Sequence, residues 1–108
     1  MKRPDALQGA LPLLVLTLLA RRGALHGYAI ATQIETLHDV LRVEEGSLYP
    51  ALHRMEQAGW IRSAWRASQL NRRAKFYEIT PEGSKRLGQE QRHWRLVVGA
   101  VDRVLQLT

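Results

Sequence analysis

Five cationic side chains and no acidic one lie in the segment spanning residues 61–77, where the charge of the chain is most one-sided. They are Arg62, Arg66, Arg72, Arg73 and Lys75. Residues 42–80 as a whole hold seven basic and four acidic side chains, which gives +3 of the total net charge of +6. Clustered guanidinium and ammonium groups suit the phosphates of a polyanion such as duplex DNA. On charge alone, a solvated surface ribbon is an equally good explanation.

A short helix with polar side chains between its apolar positions precedes this cationic segment. Leu48, Leu52 and Met55 recur at helical spacing, so we expect a helix that begins within residues 44–47 and ends just before Gly59. The side chains between or beside this stripe are Ser47, Tyr49, Pro50, His53 and Arg54. The arginine can bond a guanine edge or a phosphate, and the serine and tyrosine hydroxyls suit phosphate oxygens. The alternative is that the tyrosine packs on the domain and the arginine pairs with an acid.

After Trp60 the spacing changes from helical to alternating, as expected for a β-hairpin. Ile61 and Trp65 share one face of the first strand, residues 68–71 are turn-like, and residues 74–79 form the returning strand. We expect the hairpin to contact nucleic acid through Asn71, Arg72, Arg73 and Lys75. Such contacts supply salt-sensitive affinity that depends little on base sequence.

Two helices are predicted before this unit. The first spans about residues 8–22, with Pro12 in its first turn and Gly23 at its end. The second begins near Tyr28, and its buried side is predicted to hold Ile30, Ile34 and Leu37. Tyr28 can present its hydroxyl to a phosphate at the helix N-terminus or serve as a core aromatic, and the two roles are compatible.

A long helix is predicted to close the chain. Residues 80–82 combine a threonine cap, a proline at the first helical position and an acid in the first turn. The helix then runs to about Leu107, which is roughly 40 Å at about 1.5 Å per residue. Its apolar stripe consists of Leu87, Trp94, Val97, Val98, Val101, Val104 and Leu105.

This stripe is too long to be buried on a domain of this size. We therefore expect a second copy of the chain to cover it and form a twofold dimer. Leu7 and Leu11 of the first helix are the expected surface for the partner's last helix. The alternative is a last helix that folds back on its own domain.

Several classes of protein are disfavoured by composition. The 108 residues suffice for one domain, and the absence of cysteine excludes disulfide scaffolds and thiolate zinc sites. No apolar run is long enough to span a membrane, and the N-terminus lacks a signal-peptide layout, so we expect a cytoplasmic protein. Neither a metal-binding spacing of the histidines nor a catalytic motif or phosphate-binding loop is visible, so we expect no enzyme and no cofactor.

The order of elements is three helices, two strands and a long helix. This mainly α (α+β) arrangement predicts a winged helix-turn-helix, with residues 1–80 as the DNA-binding domain and residues 81–108 as a dimerisation helix. In that fold the third helix enters the major groove and the hairpin, or wing, lies along the phosphates.

The chain resembles the PadR family of bacterial transcriptional regulators over nearly its whole length. The matching segments are LHGYAI (25–30), GSLYPAL (46–52), RME with GWI (54–61), NRRAKFY (71–77), and Thr80 with Gly83. Two positions depart from the family pattern, since Arg66 stands where glycine is frequent and Leu70 where a polar residue is common. Both lie in the hairpin.

The resemblance implies a homodimeric repressor that binds a pseudo-palindromic operator and, in several relatives, responds to small hydrophobic or aromatic compounds. It also implies a possible effector contact at Trp94, although an anchor of the dimer interface is the simpler role for that side chain. The alternative function is a winged-helix adaptor that binds a partner protein through its hairpin and long helix.

Overall fold

Three helices, a small sheet and a long final helix follow one another in the computed structural model, which describes residues 6–37, 43 and 45–107. The elements are α1 (Ala6–Arg22), β1 (Leu25–His26), α2 (Gly27–Glu35), α3 (Glu45–Gln57), β2 (Ile61–Ala67), β3 (Arg73–Ile79) and α4 (Pro81–Leu105). The predicted winged-helix arrangement and the long C-terminal helix are confirmed.

The core forms where the apolar stripes of the first three helices meet one face of the sheet. Its fully buried members include Leu16 and Leu19 from α1, Ile30 and Ile34 from α2, and Leu48, Leu52 and Met55 from α3. The sheet adds Ile61 and Tyr77. Each helix contributes residues three or four positions apart, because that spacing keeps them on one side of the helix. This packing fixes the direction of α3, which carries half of the predicted contact residues.

Two details of the first helices differ from the sequence prediction. Helix α1 begins at Ala6, so Pro12 lies well inside the helix and not in its first turn. A proline there removes one backbone hydrogen bond, a loss that the deep burial of this helix offsets. Leu37 lies in a turn after α2 and is 66% exposed, because the helix already ends at Glu35.

The sheet has three strands in the order β1-β3-β2, all antiparallel. The sequence pattern predicts β2 and β3 but not β1, in which Leu25 pairs with Tyr77 and His26 with Phe76. Two residues are too few for an alternating pattern, so only the partner strand defines them. This short strand brings the start of α2 against the hairpin.

Helix α3 ends with the geometry that the sequence predicted. Gly59 has a φ of +83°. The Trp60 amide donates to the Met55 carbonyl and the Gly59 amide to the Glu56 carbonyl, each over 3.0 Å. This pair of bonds is a Schellman motif, which satisfies the last carbonyls of the helix. It turns the chain directly into β2.

The start of α4 is fixed by Thr80 and Gly83. The Thr80 hydroxyl accepts from the Gly83 amide over 3.0 Å and donates to the Gly59 carbonyl over 2.5 Å, which confirms the predicted cap. Gly83 lies so close to the Trp60 backbone that an added methyl group would overlap the Trp60 carbonyl oxygen. The position therefore requires glycine because of space.

Beyond its first turns, α4 leaves the domain. Leu87 packs against the core, whereas the side chains from Trp94 onward are largely exposed. Leu11, predicted to meet a partner, is only 2% exposed because α1 itself forms the centre of the core. Leu11 is therefore not accessible to a partner chain, whereas Leu87 is only partly buried and stays a predicted partner contact. Leu7 lies in α1, but its side chain is outside the described part of the chain. None of the described helices could cross a lipid bilayer.

We expect Gly83→Ala to lower the free energy of unfolding by about 1–3 kcal/mol, because it overpacks a tight contact. Gly88→Ala is the matched control in the same helix, since its methyl group would meet only Arg92 Nη1 at 3.5 Å. The control should be neutral or stabilising by about 0.5–1 kcal/mol. Urea denaturation at one fixed protein concentration measures both variants, and equal effects would contradict the close contact.

Candidate nucleic-acid interface

One side of α3 is buried, and the other side presents most of the contact residues predicted for this helix. The buried side holds Leu48, Ala51, Leu52 and Met55. The exposed residues are Gly46, Tyr49, Pro50, His53, Arg54 and Gln57. Helical periodicity places these on the opposite side from the core stripe. Within the described part of the chain Arg54 has no acidic partner, so the alternative of an internal ion pair receives no support. Ser47 is half-buried at the start of this helix.

Tyr28 of α2 and Tyr49 of α3 line the same cleft. Tyr28 is 68% exposed, so it is not a core aromatic. Tyr49 is 45% exposed, and its ring lies against the backbone of Gly27: a methyl group there would come within 2.7 Å of Tyr49 Cε1. Tyr49 therefore packs on the domain, as one of the two interpretations predicted, and also keeps part of its side chain exposed.

The carboxylate of Glu56 joins α3 to both long strands of the sheet. Its Oε2 accepts a hydrogen bond from the Ser63 hydroxyl over 2.5 Å, and its Oε1 lies 3.4 Å from Lys75 Nζ. The Ser63 hydrogen bond is the main cause of a lowered pKa for the Glu56 carboxyl, and the nearby charge of Lys75 lowers the pKa further against the opposing effect of burial. This network has no local sequence signal, because its members are separated along the chain.

The cationic segment is less free than its sequence suggests. Arg62 donates to Glu78 over 2.6 Å, and Lys75 pairs with Glu56, so acids outside residues 61–77 neutralise two of the five cations. Arg66 lies over the Phe76 ring at 4.9 Å. Arg72 and Arg73 are exposed and have no acidic partner among the described residues. The available charge therefore concentrates at the tip of the hairpin.

The tip itself is a tight turn between Ser68 and Arg72. The Ser68 amide donates to the Arg72 carbonyl over 2.7 Å, and Asn71 has a φ of +58°. Asparagine tolerates this left-handed conformation better than most residues. Asn71 therefore shapes the turn, a role separate from the predicted contact. Leu70 is exposed at the same tip.

His26 serves as the N-cap of α2, with Nδ1 accepting from the Ala29 amide over 3.1 Å. Its ring also meets the edge of Phe76, with centroids 5.3 Å apart. Histidine is not a usual capping residue, so this role could not be predicted from the residue type. Among the residues that the structure describes, no group of three or more histidine and acidic side chains could hold a metal ion.

Comparison with known proteins bears on this arrangement. The model of the transcriptional regulator PadR-like family matches residues 15–89. The chain belongs to the PadR-like family of transcriptional regulators. The predicted resemblance is thereby confirmed. None of the curated protein sequences matches the chain significantly.

Solved structures of transcriptional regulators share the whole architecture. A transcriptional regulator from Clostridium thermocellum is 31% identical and has a TM-score of 0.81, with 95% of this chain and 97% of that chain covered. A PadR-like transcriptional regulator from Bacillus cereus is 30% identical with a TM-score of 0.80, covering 94% and 97%. Because family members are non-enzymatic DNA-binding regulators, the prediction of a transcriptional regulator without enzymatic activity is confirmed.

We expect Glu56→Gln to lower the free energy of unfolding at neutral pH by about 1 kcal/mol, because it removes the ion pair with Lys75 and weakens the hydrogen bond from Ser63. The pKa of Glu56 is lower in the folded state than its ordinary value of 4.5. The stabilisation is therefore present above pH 4.5 and is lost as the pH falls through the lower folded value. Denaturation curves over this range should show the two proteins converging in acid; a constant difference would contradict the assignment.

Proposed function

We propose that the chain is a homodimeric, sequence-specific DNA-binding repressor that reads a pseudo-palindromic operator through α3. The observation that supports this most is the exposed side of α3, where Arg54 has no acidic partner among the described residues, next to a hairpin tip that carries Arg72 and Arg73. A helix of this size fits the major groove, and two adjacent cations fit the flanking phosphates. A repressor that binds chromosomal DNA in this way is located in the cytoplasm.

Within this proposal the side chains divide into two groups. His53 and Arg54, with Pro50 beside them, face the base edges, and Ser47, Tyr49 and Tyr28 contact phosphates at the starts of α3 and α2. Asn71, Arg72 and Arg73 contact the backbone from the hairpin. Lys75 contributes less than the sequence suggested, because Glu56 already offsets its charge.

The second half of α4 supports the proposal of a dimer. Trp94, Val97, Val98, Val101 and Leu105 form a partly to strongly exposed apolar stripe on the portion that projects from the domain. An unpartnered stripe of this kind is costly in water, and a second copy would bury it. In this division residues 1–80 bind DNA and residues 81–108 hold the two copies together.

Trp94 is also the proposed position for an effector at the dimer centre. It lies in the same stripe and keeps 45% of its surface exposed in the single chain. A planar hydrophobic compound stacked there would change how the two copies are held and so release the operator.

The proposal is tested by the binding of a fragment of the chain's own promoter in the presence of excess nonspecific DNA. A repressor retains the promoter fragment under this competition, because base contacts add to the phosphate contacts. Loss of binding under competition would contradict the proposal and favour the protein–protein adaptor.

We expect the double variant Arg72→Ala, Arg73→Ala to weaken operator binding and to reduce the slope of log affinity against log salt by roughly 3–4, because each of the two copies loses two phosphate contacts. The matched control is Arg62→Ala, Arg66→Ala, which removes the same charge from positions held by Glu78 and Phe76. Titrations at several salt concentrations measure both. An unchanged slope in the first variant would contradict the role of the hairpin tip.

We expect Val98→Asp to produce monomers at micromolar concentration in analytical ultracentrifugation, because it places a charge in the proposed interface. Leu96→Asp is the matched control, since Leu96 is exposed on the opposite side of α4 and should leave the dimer intact. A wild-type monomer, or equal effects of both substitutions, would contradict the proposed interface.

A further inference from the structure

The side of α4 that points away from its own domain carries a line of cations. Gly83 and Leu87 lie on the inner side of this helix, against the domain. Lys85, Arg92 and Arg103 follow one another at intervals of 7 and 11 residues. These intervals are close to two and three helical turns, so the three side chains share one line opposite the inner side. The proposed contacts with the operator and with a second copy use none of them.

Most of the charge on this side of α4 is not neutralised within the chain. Lys85 Nζ lies 3.7 Å from Glu82, and Arg86 is held by Glu90 at 2.7 Å. Asp102 is the one acid in residues 91–107, and it forms no ion pair with the described residues. The exposed α4 cations without an acidic partner in the described part of the chain are Arg92, Arg95 and Arg103. Together with Leu96, which lies between them, they form what we call the outer stripe.

The surface around the outer stripe is flat and polar. Gly88 and Gly99 lie beside it, one turn before Arg92 and one turn before Arg103. Arg92 Nη1 lies 3.5 Å from the position that a methyl group on Gly88 would take. Leu96 is the one large apolar side chain on this side of the helix. A helix that lies on a lipid surface buries several such side chains, so the composition favours a polyanion in water.

Duplex DNA is a polyanion whose spacing of charges fits the outer stripe. A guanidinium group donates to two phosphate oxygens at once, and all three unneutralised cations are arginines. Arg92 and Arg103 are about 16 Å apart along the helix axis, at about 1.5 Å per residue. One DNA strand places a phosphate about every 3.4 Å along the duplex axis, so the stripe spans several phosphates. Contacts of this kind bind duplex DNA without selecting a base sequence.

A duplex on the outer stripe is a different segment of DNA from one that lies against α3. Helix α4 packs on α1 and β3 through its inner side, so the helix itself stands between the domain and the outer stripe. The apolar stripe of the proposed dimer also lies opposite the outer stripe, because helical periodicity separates Val98 from Leu96 and Arg92. A second copy of the chain therefore leaves the outer stripe exposed.

We propose that the outer stripe binds the phosphates of a second duplex segment, so that one molecule holds two segments of DNA. The holding of two segments rests on the proposed function, because the first segment lies against α3. Binding of duplex DNA by the outer stripe itself does not rest on that function.

A capture experiment with the full-length protein tests this proposal. The promoter fragment is fixed to beads and saturated with protein, and a fluorescent duplex of scrambled sequence is then added at about 50 mM salt. The wild-type protein should retain this second duplex. Arg92→Gln, Arg103→Gln should stay on the promoter but weaken capture of the second duplex at least about tenfold, because each copy loses two phosphate contacts.

The matched control is Arg62→Gln, Arg86→Gln, which removes the same charge from positions already neutralised by Glu78 and Glu90. This variant should capture the second duplex as the wild-type protein does. Equal losses in the two variants, or promoter-bound wild-type protein that captures no second duplex, would overturn the proposal.

A second measurement examines the outer stripe without the promoter. The chain contains no cysteine, so Leu96→Cys places a single fluorophore between Arg92 and Arg103. The scrambled duplex should change its emission, and Arg92→Gln, Arg103→Gln in the same background should remove that change. A change in emission without retention of the promoter on the beads would contradict the proposed repressor but support the outer stripe. No change with the duplex, or a change only with phosphatidylglycerol vesicles, would overturn the outer stripe as a DNA-binding surface.

Discussion

The Glu56 carboxylate accepts a hydrogen bond from Ser63 in β2, pairs with Lys75 in β3 and itself belongs to α3. These three residues lie up to about twenty positions apart in the sequence. The carboxylate therefore links three elements that are separated along the chain. Apolar packing alone would bring the sheet and the helix together, but it is not directional. The carboxylate adds fixed geometry, so that the exposed side of α3 and the hairpin keep one orientation relative to each other.

The same contacts decide which charges the molecule presents. A count along the chain finds five cations in residues 61–77 and no acid. In the folded chain, Arg62 and Lys75 are offset by acids that precede or follow that segment. On α3 and the hairpin, the described cations left without an acidic partner are Arg66 over the Phe76 ring, Arg72 and Arg73 at the tip of the hairpin, and Arg54 on α3. Surface ion pairs contribute little to stability. Their larger effect is to determine where unneutralised positive charge remains on the surface for an anionic partner.

Local signals predicted most of the helices well, because caps and stripes depend on near neighbours. Gly59 and Thr80 mark the element boundaries for reasons contained in a few residues of sequence. Features that depend on distant pairing were missed. Strand β1 exists only through β3, Leu11 is buried where an interface was expected, and Glu56 finds its partners across the hairpin.

The sequence predicts which residue types could contact DNA, but it does not predict which of these side chains are exposed and which are held in ion pairs. The exposed side of α3 follows from its apolar stripe, whereas the neutralisation of Lys75 requires the three-dimensional fold. Family membership supplies the general activity, transcriptional regulation, without specifying which side chains meet DNA.

We propose that two copies of the chain present α3 and the hairpin tip to one operator. Hydroxyl-radical footprinting of the promoter tests this proposal. We expect two protected half-sites, related by twofold symmetry and centred about one helical turn apart, roughly 10 base pairs or a multiple of it. One protected segment without symmetry, or uniform protection along the fragment, would contradict the claim.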